Sequence, residues 1–228
     1  VRLIGDLDVP ALQVAMLDVI DRHESLRSMY PETEHGPVQV PMMAESVVPD
    51  LTPVDIDESD LRSAVLALAA TTFDVTETVP IASRLFRTAP GSHILAVVVH
   101  HISADGASMA PLARDLMAAY SARISWYAPT WAPLPVQYSD YAVWQRDVLG
   151  DENDPESVIA QQERYWLSAL ADLPDELQLP ADRPRPAEPT HAGATYEFHL
   201  DAELHERLLE LARHNSSTLF MVMHSVLA

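Results

Sequence analysis

The chain has 228 residues, 48% of them hydrophobic, with 34 acidic against 14 basic side chains and no cysteine. That length and apolar content suit one large domain or two smaller ones around a substantial core, and no apolar stretch approaches the roughly 18 residues that span a bilayer. A formal charge of −20 opposes binding to nucleic acid or anionic membrane, and without cysteine there is no disulfide, thiolate nucleophile or thiolate metal site.

Val1 to Gly5 reads as a strand already under way, so the chain looks cut, and no signal peptide opens it; the cytoplasm is the default compartment. Asp8 suits a helix N-cap and Pro10 a first turn, and Leu12, Ala15, Met16, Val19 and Ile20 recur at helical spacing. This helix delivers Arg22 to Arg27 at its C-terminal end, where the helix dipole favours cations. Ser28 to Val40 reads as a strand pair around Thr33-Glu34-His35-Gly36, followed by an irregular stretch and a short strand near Val54 to Ile56. Asp57 to Thr72 is a second amphipathic helix, with Leu61, Val65 and Leu68 on one face. Ile81 to Thr88 is a strand, Pro90-Gly91 a turn, and Ile94 to Val99 a β-branched run expected to be buried on both faces.

A polar cluster, His100-His101-Ile102-Ser103-Ala104-Asp105-Gly106, ends that strand, and Ala107 to Ser121 resumes as a helix with Met109, Leu112, Leu116 and Ala119 or Tyr120 on its apolar face. Strand, polar turn, helix is a placement in which sheet folds carry chemistry. If the strand continues through the histidines, alternation sends His100 and His101 to opposite sides, so at most one of them reacts. Asp105 can cap the next helix, and Gly106 can take a positive φ to turn the chain. Spacing alone leaves two readings open: a reactive histidine beside a structural one, or a His pair that merely closes a buried strand.

Ile124 to Pro135 reads as a loop, and Gln137 to Leu149 as a helix whose Tyr138, Tyr141, Val143 and Trp144 are expected to pack in the core. After an acidic break at Gly150 to Pro155, Glu156 to Ala171 is helical. Pro174 to Pro189 is Pro-rich and semi-rigid, a natural boundary. Thr195 to Leu200 then alternates as a strand, Asp201 caps a helix bearing Leu204, Leu208 and Leu211, and Ser217 begins a last apolar helix.

His-His-x-x-x-Asp-Gly resembles the core motif of the condensation domains of nonribosomal peptide synthetases, which share the two-lobed fold of chloramphenicol acetyltransferase. Arg22-His23-Glu24-Ser25-Leu26-Arg27 resembles the second motif of that family, and Tyr138-Ser139-Asp140-Tyr141-Ala142-Val143-Trp144-Gln145 its fourth, in the family's order. The resemblance implies an α/β, chloramphenicol-acetyltransferase-like two-lobed sandwich of which this chain is a partial domain. Residues 1–178 would form the N-terminal lobe, 179–192 a Pro-rich crossing and 193–228 the truncated beginning of the C-terminal lobe.

It further implies peptide-bond formation between a donor thioester and an acceptor amine. Both would arrive on 4'-phosphopantetheine arms of donor and acceptor peptidyl carrier proteins, with an adenylation domain adjacent and no cofactor bound directly. An α-amino group titrates near pH 8 and an imidazole near 6.5, so a positioned histidine suits the proton that must leave. By resemblance His101 is catalytic, His100, Asp105 and Gly106 support the site, and either Arg22 or Arg27 pairs with Asp105. Ala107 departs from the bulky aromatic that often follows the Gly and should widen the space there; Tyr30 stands where Phe is usual. Pro111 to Leu116 with Tyr120 to Arg123 resembles domains that accept a D-configured donor residue. The alternatives are an epimerisation domain of the same superfamily, a catalytically inactive relative that recruits partners, and a metal-binding protein, which the diverging histidines and absent cysteines disfavour.

Overall fold

The computed structural model describes residues 1–47, 49–176, 180–190 and 193–227. The chain opens with strand β1 (Arg2–Ile4) and then helix α1 (Val9–Arg22), whose start is set locally: Asp8 Oδ1 accepts the Ala11 amide at 2.9 Å, and Pro10 lies in the first turn where its missing N–H leaves no gap. Leu12, Met16 and Ile20 form one buried stripe of α1, and Ala15 and Val19 a second. A 3-10 turn, Glu24–Arg27, follows and opens two short antiparallel ladders. These pair β2 (Ser28–Met29) with β5 (Val40–Pro41) and, between them, β3 (Glu32–Thr33) with β4 (Gly36–Pro37), so the expected strand pair around Thr33 to Gly36 is present.

The main sheet has the order β1-β8-β7-β6, with β6 (Val54–Asp55) parallel to β7 (Ile81–Ala89), and β8 (Ser92–Val99) antiparallel to both β7 and β1. Gly91, at φ +70° in the β7–β8 turn, lets its carbonyl accept the Gly5 amide at 2.8 Å and ties the edge strand to the hairpin. Alternation divides the sheet: Leu85, Leu95 and Val97 meet α1, whereas Phe86, Ile94 and Ala96 meet Leu61, Ala64, Val65 and Leu68 of α2 (Glu58–Ala69). The central strand is thus covered on both faces, as its unbroken apolar run predicts. Helix α3 (Met109–Arg123) packs beside α1 through Ala119, Leu112, Leu116 and Tyr120, and Arg123 holds Asp18 of α1 by bonds of 2.7 and 2.5 Å. The predicted apolar stripe of this helix holds except at Met109, which is exposed.

Helix α4 (Tyr138–Leu149) and helix α5 (Val158–Ala169) complete a first unit, Val1–Asp172. The expectation that the aromatic residues of α4 are core is not met: Tyr138, Tyr141, Val143 and Trp144 are all exposed. No residue of α4 is buried, and propensity cannot say which face a neighbour will cover.

The second unit, Leu173–Ala228, contains helices α6 (Ala202–His214) and α7 (Leu219–Leu227) packed on each other, with Asp201 Oδ1 accepting the Leu204 amide at 2.7 Å as the expected cap. The expected boundary at 178/179 and part of the crossing at 179–192 lie outside the described residues. Thr195 to Leu200 is not a strand, and Tyr196 and Phe198 are exposed. An alternating pattern becomes a strand only when a neighbour accepts its hydrogen bonds, and among the described residues of this unit none does.

Leu85, on β7 beside Leu95 of β8, is fully buried in the cluster that α1 covers. Leu85→Ala should destabilise the protein by about 2–5 kcal/mol. Urea denaturation at constant m-value would measure this; a midpoint equal to wild type would show that the sheet–α1 contact is not the core.

Candidate functional site

Strand β8 ends at Val99, one residue before the histidines. The His100 amide donates to Pro80 O at 2.9 Å, its carbonyl accepts the Ser103 amide at 3.0 Å, and its ring Nδ1 accepts the Ile102 amide at 3.1 Å. The ring meets Phe73 edge-on, centroids 6.0 Å apart. His100 is therefore tied into the turn by its backbone, its ring nitrogen and an aromatic contact. His101 is exposed and lines an open cleft of about 350 Å³ with Ser25, Ser103, Asp105, Ser108 and Tyr138. The two histidines diverge as expected, but a tight turn separates them, since the pleat has already ended.

Asp105 does not pair with an arginine. Its Oδ1 accepts the Ser108 hydroxyl at 2.7 Å and the Ser108 amide at 3.0 Å, while Ser108 Oγ accepts the Asp105 amide at 3.1 Å. This reciprocal box shapes the entry to α3, and the hydrogen bonds from Ser108 hold the Asp105 carboxyl below the usual carboxylate range. The side chain is exposed, at the end of a turn that brings neither Arg22 nor Arg27 within reach. Gly106 is also not at a positive φ, and a Cβ there would meet nothing within 4 Å; the Asp105–Ser108 box makes the turn without it.

The arginines have other work. Arg22 Nε donates to Asp115 Oδ2 at 2.9 Å, its Nη1 donates to Ala132 O at 2.8 Å, and its guanidinium lies 4.8 Å from the centre of the Trp131 ring. His23 Nε2 meets the same Asp115 Oδ2 at 3.0 Å, and Arg114 Nε donates to Oδ1 at 3.2 Å. Asp115 is buried. Burial acts to raise its pKa, but the hydrogen bonds from His23, Arg22 and Arg114 outweigh it and hold the carboxyl below its ordinary value. Arg27 instead donates to Met42 O at 2.5 Å and Asp21 O at 3.3 Å, closing the base of the β2–β5 ladder.

Gln137 joins the second and fourth motifs: its Nε2 donates to Arg22 O at 2.9 Å and its Oε1 accepts the Glu24 amide at 3.3 Å. Its own amide donates to Asp140 Oδ2 at 2.9 Å and starts α4. Ser139 Oγ donates to Glu24 Oε2 at 3.0 Å. Tyr138 is thereby carried to the wall of the His101 cleft, and Tyr138, Tyr141 and Trp144 form an exposed series with centroids 5.8 and 5.6 Å apart. Tyr30 Oη and Ser103 Oγ are buried beside this wall without a hydrogen bond of normal geometry, and burial pushes the Tyr30 phenol above its usual range. A second cleft of about 360 Å³, lined by His23, Leu26, Ala107, Pro111 and Leu112, adjoins the first and shares Ser25, Ser103, Ala104 and Ser108 with it. Among the described residues no group of three or more His, Asp or Glu side chains is placed to hold a metal.

The family model described as "Condensation domain" matches residues 1–228. The chain belongs to the condensation-domain family. It is 45% identical over 228 residues to a dimodular nonribosomal peptide synthase of Bacillus subtilis (strain 168), covering 100% of this chain and 10% of that protein. It is 44% identical over 228 residues to a probable non-canonical nonribosomal peptide synthetase, CymA, of Salinispora arenicola (strain CNS-205), covering 100% of this chain and 3% of that one. Among solved structures, the complex of the X-domain and OxyB from teicoplanin biosynthesis matches with 39% identity and a TM-score of 0.86, over 95% of this chain and 47% of that chain. The chain thus spans a small part of the curated relatives and about half of this structural one. The mixed α/β, chloramphenicol-acetyltransferase-like class read from the sequence holds for this partial domain.

In this condensation domain the fold brings His101, Asp105 and Ser25 to one cleft with Tyr138, and leaves Arg27 away from it. Asp115 and Gln137 were not among the expected site residues. Asp115 had a signal: it falls on the apolar face of α3, between Leu112 and Ala119, where a carboxylate needs a cation. Gln137 had none, since an amide before a helix is commonplace.

Asp115 gives a directional pH prediction. Its folded pKa is depressed, so its contribution is complete above the unfolded value of about 3.9 and is lost as pH falls through the folded pKa. Stability should fall on acidification below about pH 4, and Asp115→Asn should flatten that acid limb. Asp115→Ala should lower stability by about 3–5 kcal/mol at neutral pH by leaving the Arg22 guanidinium without its carboxylate partner. Denaturation midpoints from pH 3 to 7 check both, and parallel profiles for wild type and Asp115→Asn would assign the acid limb to other carboxylates.

Proposed function

We propose that this chain is the catalytic lobe portion of a condensation domain that joins a donor aminoacyl or peptidyl thioester to an acceptor aminoacyl amine in the cytoplasm. Both would be carried on phosphopantetheinyl arms of peptidyl carrier proteins, beside an adenylation domain. Residues 1–178 are assigned to the first lobe, 179–192 to the crossing and 193–228 to the beginning of the second. The observation that supports this best is the contrast between the two histidines. The His100 ring is occupied by Ile102 and Phe73, whereas the His101 ring faces an open cleft beside Ser25 and Tyr138.

In the proposed reaction the acceptor nitrogen attacks the donor carbonyl carbon. The new C–N bond forms as the C–S bond breaks, the amine proton passes to or through His101, and the thiolate of the donor arm is released and takes up a proton. His101 is the catalytic residue, either accepting that proton or orienting the amine for attack. His100, Asp105, Gly106, Arg22 and Arg27 are positioning residues. His100 and Asp105 with Ser108 shape the loop that presents His101, Gly106 leaves its side of the turn open, Arg22 acts through Asp115, and Arg27 secures the neighbouring hairpin. The donor is proposed to end in a D-configured residue, on the resemblance of Pro111 to Leu116 and Tyr120 to Arg123.

A second reading draws on the 39% identity to an X-domain whose solved structure is a complex with OxyB. On that reading the chain recruits a partner enzyme, and the exposed Tyr138, Tyr141 and Trp144 of α4 would serve contact, not turnover.

The experiment uses the complete domain with both carriers loaded and follows the condensed product by mass. His101→Ala should lower turnover about 10²–10⁴-fold while leaving melting within a degree or so of wild type. His100→Ala should lower the melting temperature more than His101→Ala does, because it loses the Phe73 contact and the Ile102 hydrogen bond. Wild-type turnover by His101→Ala would remove the catalytic assignment, and absence of product from every wild-type pairing would favour the recruiting reading.

A further inference from the structure

The second cleft is not used by the chemistry above, yet it opens from the same floor as the His101 cleft. Ser25, Ser103, Ala104 and Ser108 line both. Its volume of about 360 Å³ lies in the range of small-ligand sites, about 300–1,000 Å³. Beyond the shared floor its walls are mainly carbon, from Leu26, Ala107, Pro111 and Leu112. The titratable group on its lining is His23, and the Nε2 of that ring is held by Asp115 at 3.0 Å. A charged side chain entering it would lose water without gaining an ionic partner, whereas an apolar one would lose only water contacts.

Where the two clefts join, Ser103 Oγ is buried beside the Tyr30 hydroxyl, and neither oxygen makes a hydrogen bond of normal geometry. Two neighbouring hydroxyls that turn toward each other still keep acceptor lone pairs to spare, and on the floor of a cleft these suit a polar group of a bound ligand. The next wall residue, Ala107, is exposed and carries only a methyl group where a larger side chain would reach into the cleft. The space expected from Ala107 in the sequence is therefore located: it belongs to the neighbouring cleft and not to the immediate surroundings of His101.

We infer that this second cleft is a specificity pocket for the apolar side chain of one of the two residues being joined. Ser103 Oγ hydrogen-bonds the polar backbone of that residue at the junction, and Ala107 sets how large a side chain enters. The inference rests on the condensation reading for the identity of the ligand, but its geometry is separate from His101.

Two measurements on the complete domain test it. In the first, a non-hydrolysable pantetheine amide of 4-benzoylphenylalanine is irradiated with the domain and the adduct is mapped by peptide mass. Labelling should fall on the peptides that hold Leu26 and Pro111-Leu112, and Ala107→Trp should reduce it at least about tenfold, with Ala107→Leu intermediate. Melting curves select the variant that keeps the fold. In the second, carriers loaded with Gly, Leu or Phe are compared on the donor side and then on the acceptor side. Ala107→Trp should lower kcat/KM for Leu and Phe relative to Gly by about 10–200-fold on one side only, which identifies the arm that uses the pocket. Labelling away from this cleft, or labelling and selectivity that Ala107→Trp leaves unchanged, would overturn the pocket. Correct labelling without any condensation by wild type would uphold the pocket and overturn the condensation reading; product formation without labelling of the cleft would do the reverse.

Discussion

Two strong donors, Arg22 at the end of α1 and His23 after it, share one buried carboxylate oxygen of Asp115 on α3. A lone buried carboxylate would be expensive to keep ionised, so the three groups stand or fall together. The contact spans 93 residues of sequence and fixes where α1 ends relative to α3. From that end, Gln137 reaches Arg22 O and the Glu24 amide, and sets the start of α4. The walls of both clefts, His23 and Leu26 on one side and Tyr138 on another, are therefore placed by a single electrostatic knot that touches neither histidine of the central motif.

The histidine turn is built differently, from local hydrogen bonds. Its parts, the bond of Ile102 to His100 Nδ1 and the Asp105–Ser108 box, join residues no more than three positions apart. Such a turn keeps its shape with little help from distant elements, and the sheet contributes mainly its starting point at Val99 and one bond from the His100 amide to Pro80. Local rigidity in the loop and long-range rigidity in the walls meet at Ser25, Ser103, Ala104 and Ser108. There the loop that carries His101 and the neighbouring cleft can be adjusted separately. A change at Ala107 alters cleft volume without disturbing the box that presents His101, because the box uses Asp105 and Ser108.

Helix α4 shows the other side of this economy. Its aromatic residues are held at one end by Gln137 and Ser139 and are otherwise turned outward, Tyr138 toward the His101 cleft and Tyr141 and Trp144 along a series of tilted ring contacts. Aromatic surface of this extent is costly to leave in water and suits contact with another surface or with substrate.

Much of this architecture was legible without coordinates wherever the cause is local. Asp8 and Asp201 cap the helices predicted to start there, and the β-branched run at Ile94 to Val99 is the doubly covered strand. The divergence of His100 and His101 was expected from strand alternation, but β8 ends at Val99 and the turn that follows produces it instead. Tertiary structure alone decided the pairings. The family resemblance pairs Asp105 with an arginine, but Ser108 lies three residues away and satisfies it first, while Arg22 meets the buried Asp115. Likewise Thr195 to Leu200 has the alternation of a strand and no partner among the described residues of its unit, and Tyr141 and Trp144 have the composition of a core yet are exposed. Capping and alternation are properties of a few consecutive residues, so the chain specifies them by itself. Ion pairing, strand pairing and burial are properties of two surfaces, and the second surface is set only when the chain has folded.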